Sequence, residues 1–213
     1  MRRMLFGIPL TLLMMLILLG SQVSAQDRGD CEISDDALAG IRQMLTAEDN
    51  QVFDAWSTGE IVCACIEIYY NDPPDAHLHD AVVTGAIVLL GNTGDLRAVP
   101  VLIDAIDTHP PQALYNLGNF PTVDALKALT AHVRDDNIEA RENAAEGLRR
   151  MPAPSSTVIE DGWLDALQEA RDEVVAWIEL EPEPDFRDYF IDAYNNLDRL
   201  IEHALAAGGA GTG

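Results

Sequence analysis

The stretch Ala86–Ile106 constrains this chain more than any other. It reads as a helix, a glycine-rich corner and a second helix with a proline near its start. Residues before Gly91 are apolar around most of the circumference, which predicts a buried helix. Gly91 and Gly94 allow backbone conformations that other residues resist, so they close that helix and turn the chain. Asp95 suits an N-cap. Pro100 tolerates only an early helical position, so Asp95–Val99 is expected to be a short turn, with the main helix starting near Pro100. Val101, Leu102, Ile103 and Ile106 then form its apolar face. The pattern recurs: Leu90-Gly91-Asn92 returns as Leu117-Gly118-Asn119, 27 residues later. A third helix, Ile138–Leu148, places Leu148 a further 31 residues on. Steps of this size are those of stacked helix pairs.

Over about Ala76–Pro152 the chain resembles the HEAT-like repeats first described in phycobilisome lyases. The motifs that carry the resemblance are Leu90–Ile103 and, next, Ala140–Leu148. It implies an all-α protein, an α-solenoid of HEAT-like helical hairpins. It also implies that Asp95 and Arg97 shape the corner and bond neighbouring repeats, making Gly91, Gly94, Asp95, Arg97 and Pro100 a structural set. The chain departs from the family where Leu96 replaces a frequent proline and Asn119-Phe-Pro-Thr122 replaces the Gly-Asp corner. In this architecture the second helix of each pair lines the concave side. Asp104, Asp107, Lys127 and His132 are its polar candidates for a binding surface, chosen by position. Relatives that attach bilins, excise damaged bases or bind di-iron offer no activity to carry over. An exported chain meets no phycobiliprotein, base excision needs a basic cleft, and the repeated His-Glu dipeptides of the hydroxylases are missing.

The expectation of export comes from the N-terminus. Arg2 and Arg3 precede an apolar run, Met4–Gly20, and Val23-Ser-Ala25 offers small residues for cleavage before Gln26. An uncleaved anchor is the other reading, but 17 residues is near the lower limit for a spanning helix. Without residues 1–25 the formal charge moves from −23 to −25, because both charges lost are basic. Lys127 is the only lysine. Such acidity argues against nucleic acid and against an anionic membrane surface. Solubility is its ordinary explanation; a cationic partner or divalent cations are the sharper one.

Export would place Cys31, Cys63 and Cys65 where disulfides persist. Two residues apart on a helix, Cys63 and Cys65 point to opposite sides, so Cys31 is expected to pair with one of them. Glu60 and Glu67 mark the wet face, and Cys63 lies nearer to it, which favours Cys31–Cys63.

Elsewhere, Ser34-Asp-Asp opens a helix through Leu45, and Thr46–Asp49 caps another that buries Val52, Phe53 and Trp56. Ser57-Thr-Gly-Glu60 is a capping box, which favours helix over strand for the β-branched Ile61–Tyr70. After a loop at Met151–Ser156 comes a helix with Trp163, Leu164, Leu167, Val174 and Ile178 inside. Glu179–Asp185 is read as a stiff acidic linker. Phe186–Ala207 forms an amphipathic helix that caps the stack. The domain reading is a signal at 1–25, N-terminal helices at 26–75, repeats at 76–152, capping helices at 153–207 and a disordered tail at 208–213.

No Gly-x-Ser-x-Gly elbow, Walker loop or His-Glu-x-x-His is present. Asp75, His77, His79 and Asp80 form the one histidine cluster and hence the weak metal candidate. His77 and His79 could share an ion only on an extended backbone, and a solvated first turn is the ordinary alternative. Arg28-Gly-Asp30 is a chance tripeptide in a tail. Glu139, Glu142 and Glu146 are a stripe at helical spacing, read as a solvated face. The chain is therefore expected to be an exported, non-catalytic scaffold that binds an unidentified protein, without cofactor, nucleic acid or stable membrane insertion. The alternative is a metal-dependent or small-molecule-binding envelope protein using His77, His79 and nearby carboxylates.

Overall fold

The computed structural model describes residues 31–46, 56–71, 79–155 and 160–209. All belong to the unit Cys31–Gly213; the unit Met1–Asp30, with the signal expected there, lies outside the described residues. So does the helix expected over Val52 and Phe53. The described elements are helical throughout: α1 (Asp35–Thr46), α2 (Thr58–Asn71), α3 (His79–Thr93), α4 (Ala98–Ala105), α5 (Pro110–Leu117), α6 (Val123–Ala131), α7 (Ile138–Arg150), α8 (Trp163–Ile178) and α9 (Pro184–Gly209).

Each helix packs against its second neighbour in the chain. The odd-numbered helices touch in the order α1, α3, α5, α7, α9 and the even-numbered ones in the order α2, α4, α6, α8. Cross-contacts α2–α3, α4–α5, α6–α7 and α8–α9 join the two series. The core lies between them. α3 has neighbours on many sides, so it buries Val82, Val83, Ala86, Ile87, Leu89 and Leu90 and keeps no broad polar stripe.

Local signals set the helix starts. At α2 the Ser57 backbone N–H donates to Glu60 Oε2 at 2.9 Å, and the Glu60 N–H donates to Ser57 Oγ at 3.3 Å. This reciprocal box makes a helix of a segment rich in isoleucine and valine. Those Ser57 bonds also hold the Glu60 carboxyl below its ordinary range. At α6, Thr122 Oγ1 accepts from the Ala125 N–H at 3.2 Å.

Several boundaries differ from the sequence reading, among them the start of α9, which lies at Pro184 rather than Phe186. α4 starts at Ala98, two residues before the expected start near Pro100. Pro100 is its third residue, where the missing N–H has no partner to lose. α9 continues through Gly208 and Gly209, residues read as tail.

The segment read as a linker, Glu179–Asp185, is docked. Glu181 is 1% exposed, and Oε2 accepts from Arg141 Nε at 3.2 Å and from Trp177 Nε1 at 2.8 Å. Its Oε1 accepts the Glu183 N–H at 3.1 Å, and its carbonyl oxygen accepts from Arg187. One buried carboxylate therefore joins α7, α8 and the start of α9. The run of acids and prolines looks solvated in sequence because its partner, Arg141, is 40 residues away.

Candidate functional site

Three places gather the residues singled out by sequence: the corner after α3, the start of α3, and the surfaces of the two helix series.

At the corner, Gly94 adopts φ +68°, the left-handed conformation that terminates α3. Asp95 does not cap α4 with its side chain. Its Oδ1 instead accepts the Arg97 N–H at 3.0 Å, and its carboxylate grips the Arg97 guanidinium at 2.7–3.2 Å. The Arg97 side chain, by bonding and charge, holds the Asp95 carboxyl below its ordinary range, and burial offsets part of this. Arg97 Nη1 then reaches Cys63 Sγ at 3.6 Å and Cys31 Sγ at 3.8 Å. Cys31 and Cys63 stand at disulfide distance, with Cα atoms 5.2 Å apart. Cys65 is fully buried and free, and burial pushes its thiol up to about 12, so it is inert at neutral pH. The corner is thus a tie between the segment before α1, α2 and α4. Among the described residues there, the one free thiol, Cys65, is buried.

The asparagine of the second Leu-Gly-Asn motif ties two odd-numbered helices together. Asn119 Nδ2 donates to the Gly91 carbonyl oxygen at 2.9 Å, satisfying an acceptor at the C-terminal end of α3. Asn119 Oδ1 in turn accepts from Arg150 Nη2 at 3.1 Å. Asn196 Nδ2 continues the pattern one helix on, donating to the Leu148 and Met151 carbonyls at 2.7 and 3.0 Å. The glycines let the helices approach: a Cβ on Gly91 would collide with Asn116.

At the start of α3, His79 and Asp80 are consecutive residues of the first turn, and Asp75 and His77 lie outside the described residues. Among the described residues no group of three or more His, Cys, Asp or Glu side chains converges as a metal site would need.

The positional candidates for a binding surface separate. Asp104 accepts a 2.6 Å bond from the Tyr70 hydroxyl, which fixes α4 to α2. Asp107 is exposed beyond the end of α4. His132 Nδ1 lies 2.9 Å from Asp135 Oδ2, beyond the end of α6. Lys127 lines a hollow of about 410 Å3 with Thr130, Arg134, Glu169 and Glu173, and Arg134 pairs with Glu173 at 2.6 Å. Asp104, Asp107 and His132 do not line it.

The opposite series carries a feature that sequence reasoning missed. Two adjoining hollows of about 430 and 440 Å3 share Tyr115 and Asn143. Tyr115 is 39% exposed, and the Arg150 guanidinium lies 4.0 Å from its ring centroid. The signal was present in the 27-residue register: Val88 and Tyr115 stand two residues before Leu90 and Leu117. Both are large, exposed apolar side chains on successive odd-numbered helices.

No protein-family model, curated protein or solved structure matches the chain. No helix among the described residues is long and apolar enough to cross a membrane.

Proposed function

We propose that this chain is an exported α-solenoid of HEAT-like hairpins that binds another protein through its surface and performs no catalysis. The observation that supports this reading is the second-neighbour packing of both helix series, with Asn119 bonding back to the end of the preceding odd-numbered helix. Stacked hairpins of this kind hold surface side chains in fixed register over several helices, which suits recognition of a protein. The basic, apolar and small-residue pattern of residues 1–25 supports export, as does the Cys31–Cys63 pair at disulfide distance.

The test is affinity capture with Gln26–Gly213 from envelope and medium fractions, followed by reconstitution from two purified components. A complex that re-forms from the purified pair is the expected result. A folded chain that yields no partner, together with measurable turnover of a small molecule, would refute the reading.

A further inference from the structure

The two hollows adjoin at Tyr115 and Asn143 and together touch α3, α5, α7 and α9, the course of the proposed groove. At 8–10 Å between packed helices, four helices span roughly 25–30 Å, the length of about eight residues in extended conformation. The first hollow places the side chains of Asn92, Gln112 and Asn143 beside Tyr115. Amides offer both donors and acceptors, which matches a peptide main chain. The second hollow has Glu142, Glu146 and Asp192 against one arginine, Arg149. Arg149 is engaged by Glu146 at 2.5–2.6 Å, so two carboxylates remain in excess. Tyr189, at the same place, reports the field they leave. The charge of Glu142 and a hydrogen bond with it, joined by Glu146, raise its hydroxyl pKa, and Arg149 only partly opposes this. The groove is therefore polar at one end, where its one cation, Arg150, lies over the Tyr115 ring and donates to Asn119, and negative beside Tyr189 at the other.

We infer that this groove holds an extended segment of the partner polypeptide, its main chain along Tyr115 and the amides, with a lysine or arginine side chain between Glu142 and Asp192. The inference rests on the scaffold reading and names its surface and the chemistry of its partner. Charge complementarity selects the occupant: an acidic segment would meet Glu142 and Asp192 with repulsion. The groove also lies on the series opposite Asp104 and Lys127, so it replaces those residues as the proposed contact surface.

The test uses Gln26–Gly213 and two fluorescein-labelled octapeptides, alternating Gly-Lys and alternating Gly-Glu, followed by fluorescence anisotropy at physiological salt. The Gly-Lys peptide should bind and the Gly-Glu peptide should not. Glu142→Gln combined with Asp192→Asn should weaken binding about tenfold, the scale of one well-placed charge pair. Glu169→Gln combined with Glu173→Gln makes the same charge change on the opposite face and should weaken it less than about twofold. Tyr115→Ala changes no charge and should weaken it several-fold, with circular dichroism verifying that each variant is folded. Equal losses from the two double variants would mean attraction to net charge alone and would overturn the proposal. So would absence of Gly-Lys binding, or equal binding of Gly-Glu. A reconstituted complex that survives Glu142→Gln with Asp192→Asn would refute this groove while leaving the scaffold reading standing.

Discussion

Gly118 meets Gly147 of the neighbouring helix so closely that a methyl group there would sit 2.5 Å from the Gly147 Cα and carbonyl oxygen. Its φ of −60° is ordinary, so the requirement is one of space. Backbone cannot swing aside as a side chain can, and α5 and α7 would have to part. Gly118→Ala is expected to cost at least about 1–3 kcal/mol, the usual range for overpacking. Thermal denaturation checks this, and an unchanged midpoint would count against the close approach. Arg141 and Glu181 make a second demand at this scale. Removing Arg141 leaves a carboxylate that is 1% exposed without its cation. Arg141→Ala should therefore destabilise by about 3–5 kcal/mol. A loss under about 1 kcal/mol in urea unfolding would show that Trp177 and the Glu183 N–H suffice.

Among the elements, the disulfide-distance pair ties the segment before α1 to α2. Cys31 and Cys63 are 32 residues apart, and closing a loop of that size stabilises by about 3–4 kcal/mol. Melting with and without dithiothreitol should show a loss of this order, and Cys31→Ser should reproduce it. A melt insensitive to reductant would mean the bond is not formed. What the sequence disclosed at this scale follows from distance along the chain. Helix starts set by neighbours within three residues, such as Ser57 with Glu60, could be read directly. The helical rhythm of α3, α7 and α9 was equally legible. The buried Glu181 and the groove around Tyr115 depend on residues tens of positions apart, which no local pattern registers. Asp104 was chosen by position on its helix, and its bond to Tyr70 of α2 could not be seen from that position.

For the whole molecule, acidity and fold are coupled through a few carboxylates. Asp95, Asp135 and Glu181 are all held below their ordinary range. Arg97 does this for Asp95, and the Asn137 N–H followed by His132 does it for Asp135. At Glu181, burial pushes upward and is outweighed by the Glu183 N–H, Trp177 and Arg141. A carboxylate that binds protons less readily when folded contributes stability above its unfolded pKa, about 4, and loses it as pH falls through the lower folded value. The melting temperature should therefore fall below about pH 4, and one that holds to about pH 2 would contradict these assignments. The central claim, that the stacked helices present a binding surface to a protein, is tested most directly by hydrogen–deuterium exchange on the reconstituted complex. Protection is expected to concentrate in the end of α3, in α5 and α7 and in the first turns of α9, with α6 and α8 unchanged. Protection in none of the helices would refute it, whereas protection confined to α6 and α8 would refute the groove around Tyr115 and leave the scaffold reading standing.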